Sequence, residues 1–173
     1  MKMYLAMYKN KKILTDKVIA FVSRGNYTHC EIILKEEDDT RMYSASVRDG
    51  KQVRCKSTSL VDFKEENWDL LEFEVSQEDF HVFQDYFNLI KGMKYGFKTL
   101  FFNHLLRLPF DFQDEMICSE FCAIAIHLLL QSKMSKYDNQ RLIENAHLLT
   151  PSNMLARMCE VGLLGNKIDV KNM

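Results

Sequence analysis

The chain has 173 residues, 47% of them hydrophobic and 12% aromatic, which is enough apolar material for one packed domain and argues against disorder. Its 23 basic and 24 acidic side chains are interspersed and leave a formal net charge of −1, so charge indicates neither a nucleic-acid partner nor an anionic membrane surface. No uncharged apolar run approaches the roughly 20 residues of a membrane-spanning helix. We expect a single domain over residues 1–173.

The first twelve residues contain a short apolar stretch broken by lysines, without the cleavage site of a secretory signal. We interpret them as a first strand and expect a cytoplasmic protein. Five cysteines without a signal fit free thiols in a reducing compartment better than a disulfide framework. The lysine-rich composition, poor in proline and glycine, hints at a phage or other viral origin, in which case the cytoplasm is that of the host.

The first half of the chain predicts one helix and several strands. A strand at about residues 4–8 precedes a short apolar helix at 16–23, which begins with an acid and has Gly25 just past its end. Acidic residues 36–39 and the pair 49–50 are predicted turns. The further strands are at 28–35, 41–47, 53–56 and 68–74. They indicate a small, mostly antiparallel sheet.

The second half predicts helices. Ser76 and Asp79 resemble a capping box for a helix through about residue 91, along which phenylalanines repeat at helical spacing. Further helices are predicted at 97–107, at 118–130 and from Thr150-Pro151 to about residue 161. Residues 142–149 favour no single state. The whole pattern predicts an α+β domain without a repeat or linker.

The segment Tyr27-Thr-His-Cys-Glu31 carries the first candidate chemistry. Because residues i and i+2 of a strand share a face, His29 and Glu31 should point the same way and Cys30 into the opposite layer. A base and its orienting carboxylate could therefore share one strand. Glu31 in an apolar strand needs a partner, because an unpaired buried charge is costly. The alternative is that it faces water on an edge strand.

Cys118 carries the second candidate chemistry, because it is the first residue of a predicted apolar helix. The free N–H groups and dipole at a helix N-terminus favour the thiolate and lower a thiol pKa from about 8.5 toward neutrality or below. Together with His29, Cys118 therefore suggests a thiol nucleophile and its base. Taken singly, His29 could be structural and Cys118 a small buried hydrophobe. We place Cys30, Cys122 and Cys159 in the core.

Other residues receive structural interpretations. Zinc is a rival for His29, Cys30, Cys118 and Cys122, but their spacing lacks a C-x-x-C or H-x-x-x-H pair, and we expect no metal or other cofactor. Glu120 should point away from Cys118 as a favourable first-turn acid. The remaining histidines are assigned to core or surface: His81, His104, His127 and His147. Five aromatic residues are predicted core, or else the wall of an apolar groove that favours a lipid or acyl substrate: Phe97, Phe101, Phe102, Phe110 and Phe112.

The motifs together resemble the circularly permuted branch of NlpC-type papain-like thiol hydrolases, the YiiX-like group. In ordinary papain-like enzymes the cysteine helix precedes the histidine strand, whereas here His29 precedes Cys118, as the permuted branch implies. The resemblance covers about residues 27–158 and implies a permuted papain-like α+β fold. The matching segments are Tyr27-Thr-His-Cys-Glu-Ile-Ile33, Tyr43-Ser-Ala-Ser-Val-Arg-Asp-Gly50, Gly92-Met-Lys-Tyr95, Cys118-Ser-Glu-Phe-Cys122 and Thr150-Pro-Ser-Asn-Met-Leu155.

By this resemblance, Cys118 is the nucleophile, His29 the base and Glu31 the third member of the site. Ser44 is the alternative third member, since unpermuted relatives carry theirs on the strand after the histidine. The chemistry implied is acyl transfer through a thioester. The oxyanion would be met by the Cys118 backbone N–H and by a hydroxyl of Tyr27 or Tyr95.

We therefore expect a cysteine peptidase or amidase acting on a peptide or cell-wall peptide. The substrate is not fixed, because permuted relatives include acyltransferases and lipid-acting enzymes. A lipid acyltransferase or thioesterase is the first alternative, and a groove lined by phenylalanines would favour it. A catalytically silent binding module of the same fold is the second, and an unreactive thiol would favour it.

Overall fold

The strands form one curled, mostly antiparallel sheet in a computed structural model, which describes residues 1–10, 14–23, 25–36, 39–47, 50–58, 63–64, 66–162 and 167–168. The strands within these ranges are β1 (Lys2–Tyr8), β2 (His29–Lys35), β3 (Thr40–Ser46), β4 (Gln52–Thr58), β5 (Trp68–Glu74), β6 (Lys94–Tyr95), β7 (Glu115–Met116) and β8 (Lys167–Ile168). Their order is β7-β6-β4-β3-β2-β1-β5-β8, and only β6 and β7 pair in parallel. The predicted α+β class is confirmed. The predicted turns at 36–39 and 49–50 lie partly outside the described residues.

The helices follow the predicted second half closely. They are α1 (Leu14–Ser23), α2 (Gln77–Ile90), α3 (Phe97–Thr99) continuing as a π-helix over Leu100–Leu105, α4 (Cys118–Leu130), α5 (Lys136–Ile143) and α6 (Pro151–Glu160). The predicted caps are present, because the Ser76 hydroxyl accepts from the Asp79 N–H and the Thr150 hydroxyl from the Asn153 N–H. Sequence analysis missed α5, which buries only Leu142 and therefore shows little helical periodicity. No helix in the described ranges has the length and apolar character needed to cross a bilayer.

Strand alternation divides the buried residues into two clusters. Met3, Leu5 and Met7 of β1 pack in the main cluster with residues of α2 and α4, while Tyr4 and Ala6 pack in a smaller cluster. On β2, Cys30, Ile32 and Leu34 likewise belong to the main cluster and Ile33 to the smaller one. Odd- and even-numbered residues of one strand therefore serve different layers, which sets the face on which His29 and Glu31 lie.

Two predictions of burial are wrong. Cys159 is exposed, because Met154 and Met158 turn the opposite side of α6 to the core. The phenylalanines of residues 97–112 are also not core: Phe97, Phe101 and Phe110 are 45%, 49% and 51% exposed. Four of the five rings pack on one another, with Phe102 at 5.2–5.8 Å from its neighbours, instead of filling the space under the sheet.

Gly96 allows a close approach just before the cysteine helix. Its N–H donates to the carbonyl of Met116 at 2.9 Å. A Cβ at this position would lie 2.7 Å from Cγ2 of Ile117 and 3.2 Å from its backbone nitrogen. A side chain at residue 96 would therefore push on the residue that immediately precedes Cys118.

We expect Gly96→Ala to lower the free energy of unfolding by about 1–3 kcal/mol, because an added methyl in a filled space forces a backbone shift. Urea denaturation measures the change. Gly162→Asn is the matched control, since a Cβ there meets nothing within 4 Å and asparagine tolerates the φ of 68°. Equal stability of the two variants would contradict the steric role of Gly96.

Candidate active site

His29 and Glu31 form a buried pair on one face of β2. Nε2 of His29 lies 2.8 Å from Oε1 of Glu31, and the residues are 5% and 2% exposed. Cys30 between them packs in the main core with Ile32 and Leu34. The predicted alternation is confirmed, and the alternative that Glu31 faces water is wrong.

Arg54 is a second partner for the Glu31 carboxylate. Its guanidinium lies 3.9 Å from Oε1 of Glu31, and Arg54 is itself buried. Arg54 on β4 is directly opposite Ser44 on β3, so neighbouring strands bring both to this part of the sheet. Sequence analysis missed Arg54, although its place next to the core residue Val53 indicated the opposite face. Ser44 is fully buried, and its hydroxyl has no hydrogen-bond partner among the described residues.

Cys118 is buried as the first residue of α4. Its N–H belongs to the first turn, where helix donors have no intrahelical acceptor. Glu120 turns back from the sulfur, and its carboxylate accepts from the Ile117 N–H at 3.5 Å. The Cys118 N–H is therefore placed to receive charge that develops next to the sulfur.

The segment before α6 ties the cysteine helix to the histidine strand. The Ser119 hydroxyl donates to the Leu149 carbonyl at 2.5 Å. Ser152, three residues further on, accepts from the Tyr27 N–H at 3.3 Å, two residues before His29. These contacts hold the start of α4 beside the start of β2, and explain why residues 149–152 belong to the site.

The environment of His29 favours its protonated form. Burial lowers the pKa of the ring, but the charge of the Cys118 sulfur and hydrogen bonds with Cys118 and Glu31 outweigh it, and together they raise the pKa to about 9. Since Nε2 faces Glu31, Nδ1 is the ring nitrogen left for the sulfur. Because the sulfur is charged only after Cys118 has lost its proton, the raised pKa is that of the ring beside a thiolate, and it favours transfer of the Cys118 proton to His29.

Cys118 does not have the lowered pKa that its place at a helix N-terminus predicts. A hydrogen bond with the Cys30 thiol and burial raise the pKa of Cys118, and these effects outweigh the lowering by His29. Burial also raises the pKa of Cys30, so that its sulfur is a neutral neighbour. The Cys118 proton is therefore retained until His29 removes it.

The two predicted tyrosine donors have different positions. The Tyr27 hydroxyl donates to Asp69 at 2.7 Å, and Asp69 also accepts from Lys9. The Tyr27 hydroxyl thus ties the segment before β2 to β5, which leaves Tyr95 as the stronger candidate for the oxyanion donor. Tyr95 is buried and lines a cleft together with Cys118, where β6 pairs beside Met116.

This cleft is small and mostly apolar. The cavity itself has a volume of only about 20 Å³, which is room for about one water molecule and well below the volume of ligand sites. The residues lining it are Ile19, Tyr95, Leu100, His104, Ile117, Cys118, Ser119, Leu149 and Pro151. None of the five phenylalanines of residues 97–112 is among them. His104 is a functional candidate that sequence analysis assigned to core or surface, because no local motif marks it.

A larger groove between α5 and α6 offers no comparable chemistry. Arg141 in its wall pairs with Glu160 at 2.9 Å, and Arg157 donates to the carbonyls of Arg141 and Glu144. Its cations are therefore used in holding the two helices together. The Cys118 thiol belongs to the smaller cleft.

Across the described ranges, no group of three or more His, Cys, Asp or Glu residues is arranged to hold a metal ion. In comparisons with known proteins, the chain matches no protein-family model and no curated sequence. The geometry of Cys118, His29 and Glu31 is therefore the basis for assigning a function.

We expect Cys30→Ala to shift the alkylation of Cys118 to lower pH, because it removes the hydrogen bond that most raises the pKa of Cys118. The measurement is the rate of iodoacetamide alkylation against pH, located on Cys118 by mass spectrometry. Cys122→Ala is the matched control, since it truncates a buried thiol one helical turn further along. If Cys30→Ala leaves the pH profile of Cys118 alkylation unchanged, or if both variants shift it equally, then Cys30 does not raise the pKa of Cys118.

We expect Glu31→Gln to lower the pKa of His29 from about 9, since it removes the carboxylate charge that favours the imidazolium. Proton–nitrogen correlation spectra of the ring against pH measure the shift. Ser44→Ala removes the alternative third member and should leave the titration of His29 nearly unchanged. The reverse ranking of the two variants would assign the orienting role to Ser44.

Proposed function

We propose that this protein is a cysteine hydrolase that cleaves an amide bond through a thioester intermediate. The observation that carries the proposal is the buried His29 ring, which lies 2.8 Å from the Glu31 carboxylate and interacts with the Cys118 sulfur. A nucleophile, a base in contact with it and a third group that orients the base define the triad logic of acyl transfer.

The reaction begins when His29 takes the Cys118 proton as the sulfur attacks the substrate carbonyl. The oxyanion is met by the Cys118 backbone N–H, with Tyr95 as the second candidate donor. His29 then gives its proton to the leaving amine, and the C–N bond breaks to leave a thioester. Water, deprotonated by His29, attacks the thioester, the C–S bond breaks to release the acid, and His29 returns the proton to the Cys118 sulfur.

The raised pKa of Cys118 fits this order of events. A thiol that stays protonated in the resting site reacts slowly with stray electrophiles, and proton transfer then accompanies attack on a bound carbonyl. General base catalysis of this kind contributes typically about a hundredfold to ten-thousandfold in rate. The Glu31 carboxylate stabilises the imidazolium that forms, and Arg54 offsets the charge of that carboxylate.

The packing of the site supports a permuted papain-like fold of the YiiX-like type. The helix that begins with the cysteine packs on the sheet at β2 and β3, so that its first turn meets the start of the histidine strand. Chain order does not matter to such a site, because a triad is defined by geometry. A peptide, including a cell-wall peptide, is the leading substrate in this proposal.

A lipid acyltransferase or thioesterase is the second candidate. The observation that favours it is the apolar wall of the cleft, formed in part by Leu100, Ile117 and Leu149. Exposed phenylalanines follow Tyr95 along the chain and offer further apolar surface. The same thioester chemistry applies, with a hydrocarbon chain in the place of a peptide.

We expect 4-nitrophenyl acetate to acetylate Cys118, with a burst of 4-nitrophenolate. Cys118→Ala should abolish the burst, and His29→Ala should slow acetylation by at least about a hundredfold, because the thiol then loses its base. Peptide mass spectrometry locates the acetyl group. All variants carry Cys159→Ser, since Cys159 is an exposed thiol that reacts without catalysis.

His81→Ala serves as the control for loss of a histidine, because His81 is exposed on α2. An unmodified Cys118 in the otherwise wild-type protein would contradict the hydrolase and favour a catalytically silent binding module.

A further inference from the structure

Residues 97–110 have their apolar and polar side chains in the reverse of the usual places. In α3 and the π-helical turn that continues it, the buried residues are Thr99 and Asn103. The segment also carries six of the twelve large hydrophobic residues that are exposed among the described ranges. These six, 42–51% exposed, form the apolar patch: Phe97, Phe101, Leu105, Leu106, Leu108 and Phe110. Exposed apolar patches mark contacts with a protein or a membrane.

The apolar patch is one continuous surface. The Leu106 N–H donates to the Phe101 carbonyl at 3.0 Å, so the chain after the turn folds back on it. The Leu108 N–H likewise donates to the Phe102 carbonyl at 2.9 Å. The Phe102 ring packs on the rings of Phe101 and Phe110, with centroids 5.2 and 5.8 Å apart. The exposed side chains are therefore presented together.

Buried polar contacts hold the apolar patch outward. The Asn103 amide donates to the Phe110 carbonyl at 2.7 Å and accepts from the Phe110 N–H at 3.1 Å. Glu115 accepts from both the N–H and the hydroxyl of Thr99, at 2.6 and 3.2 Å. The space beneath the segment is thus filled by hydrogen-bonded polar groups, and the phenylalanines and leucines remain outside.

Cations border the apolar patch. Arg107 is exposed between two of its leucines, and Nζ of Lys51 lies 5.9 Å from the centroid of the Phe97 ring. Lys94 is exposed at the start of β6, immediately before the tyrosine whose ring packs on Phe97. None of these three cations forms an ion pair within the described part of the chain.

The acids of residues 97–115 offset little of this charge. Asp114 pairs with Lys98 at 2.9 Å, and the Glu115 carboxylate is buried on Thr99. Asp111 is exposed. The apolar patch therefore has a positive border, although the whole chain has a formal net charge of −1. A second copy docked there by two-fold symmetry would set the cations against their equivalents, which is unfavourable.

We propose that the apolar patch docks the protein on the surface of an anionic lipid membrane. Its phenylalanines and leucines enter the boundary between headgroups and acyl chains, while Arg107, Lys51 and Lys94 meet the anionic headgroups. Long basic side chains suit this border because their stems lie along apolar surface and their charges stay in water. The same π-helical turn lines the Cys118 cleft, so docking places that cleft next to lipid. The proposal does not depend on the hydrolase chemistry.

Flotation of the whole chain with lipid vesicles tests the proposal. We expect binding to vesicles of equal parts phosphatidylserine and phosphatidylcholine. Binding should fall at high salt and on pure phosphatidylcholine, because the cations are then screened or lack partners. Leu106→Ser/Leu108→Ser should lower the vesicle affinity by about tenfold or more, since two side chains no longer leave water for lipid. Arg107→Gln should lower it by about fivefold.

Two control variants separate the patch from the rest of the surface. Val82→Ser/Leu89→Ser removes two exposed apolar side chains from α2 and should bind as the wild type does. Lys136→Gln removes an exposed cation from α5 and is the control for Arg107→Gln.

A tryptophan in the apolar patch locates the contact. Phe110→Trp keeps a large apolar ring, and lipids brominated in their acyl chains should quench its fluorescence on binding. Leu89→Trp, at an exposed position of α2, should not be quenched. The native Trp68 is buried in the smaller cluster and is common to both variants.

A wild-type protein that does not float with the mixed vesicles would overturn the proposal. So would equal affinity of the patch and control double variants, or quenching at residue 89 as strong as at residue 110. A dimer that forms without lipid and is lost in Leu106→Ser/Leu108→Ser would assign the patch to a second copy instead. Acetylation of Cys118 is measured without lipid, so the two proposals fail independently.

Discussion

The buried hydrogen bond between His29 and Glu31 is the interaction on which the rest of the site depends. A carboxylate taken out of water is costly unless charged or hydrogen-bonding groups surround it. β2 supplies the imidazole and β4 supplies Arg54, so the register of several strands must be correct at once. A slip of one residue in β2 would turn the pair toward the main core and bring Cys30 to their face.

The parts of the fold that the sequence predicts are those encoded locally. The first residue of α4, the caps of α2 and α6 and the alternation along β2 each depend on neighbours within a few residues. Arg54 and His104 were missed because their contacts join distant segments, which no spacing in the sequence reveals. Sequence analysis missed α5 for a local reason, since its one buried leucine leaves no periodic pattern.

The pKa of the Cys118 thiol likewise depends both on a local property and on contacts between distant segments. Its place at a helix N-terminus is a local property and favours the thiolate. Its burial and its hydrogen bond with Cys30 come from packing β2 against α4, and they raise the pKa of Cys118 instead. A neighbouring sulfur and the loss of water act within a few ångströms and outweigh the partial charge of a helix end. The sequence could therefore locate the thiol at the start of the helix without predicting its protonation state.

The two histidines near Cys118 are distinguished by what accompanies their burial. The pKa of His29 is raised to about 9 because a carboxylate and a sulfur outweigh the effect of burial. The pKa of His104 is lowered by burial, and the neighbouring His147 ring lowers it further while the His147 backbone raises it only in part. Environments that separate the pKa values of like groups assign them different roles. A ring that readily takes a proton suits the proposed base, and a ring that stays neutral does not. Among the described residues, an acidic partner lies beside His29 and none lies beside His104, and this difference separates the pKa values of the two rings.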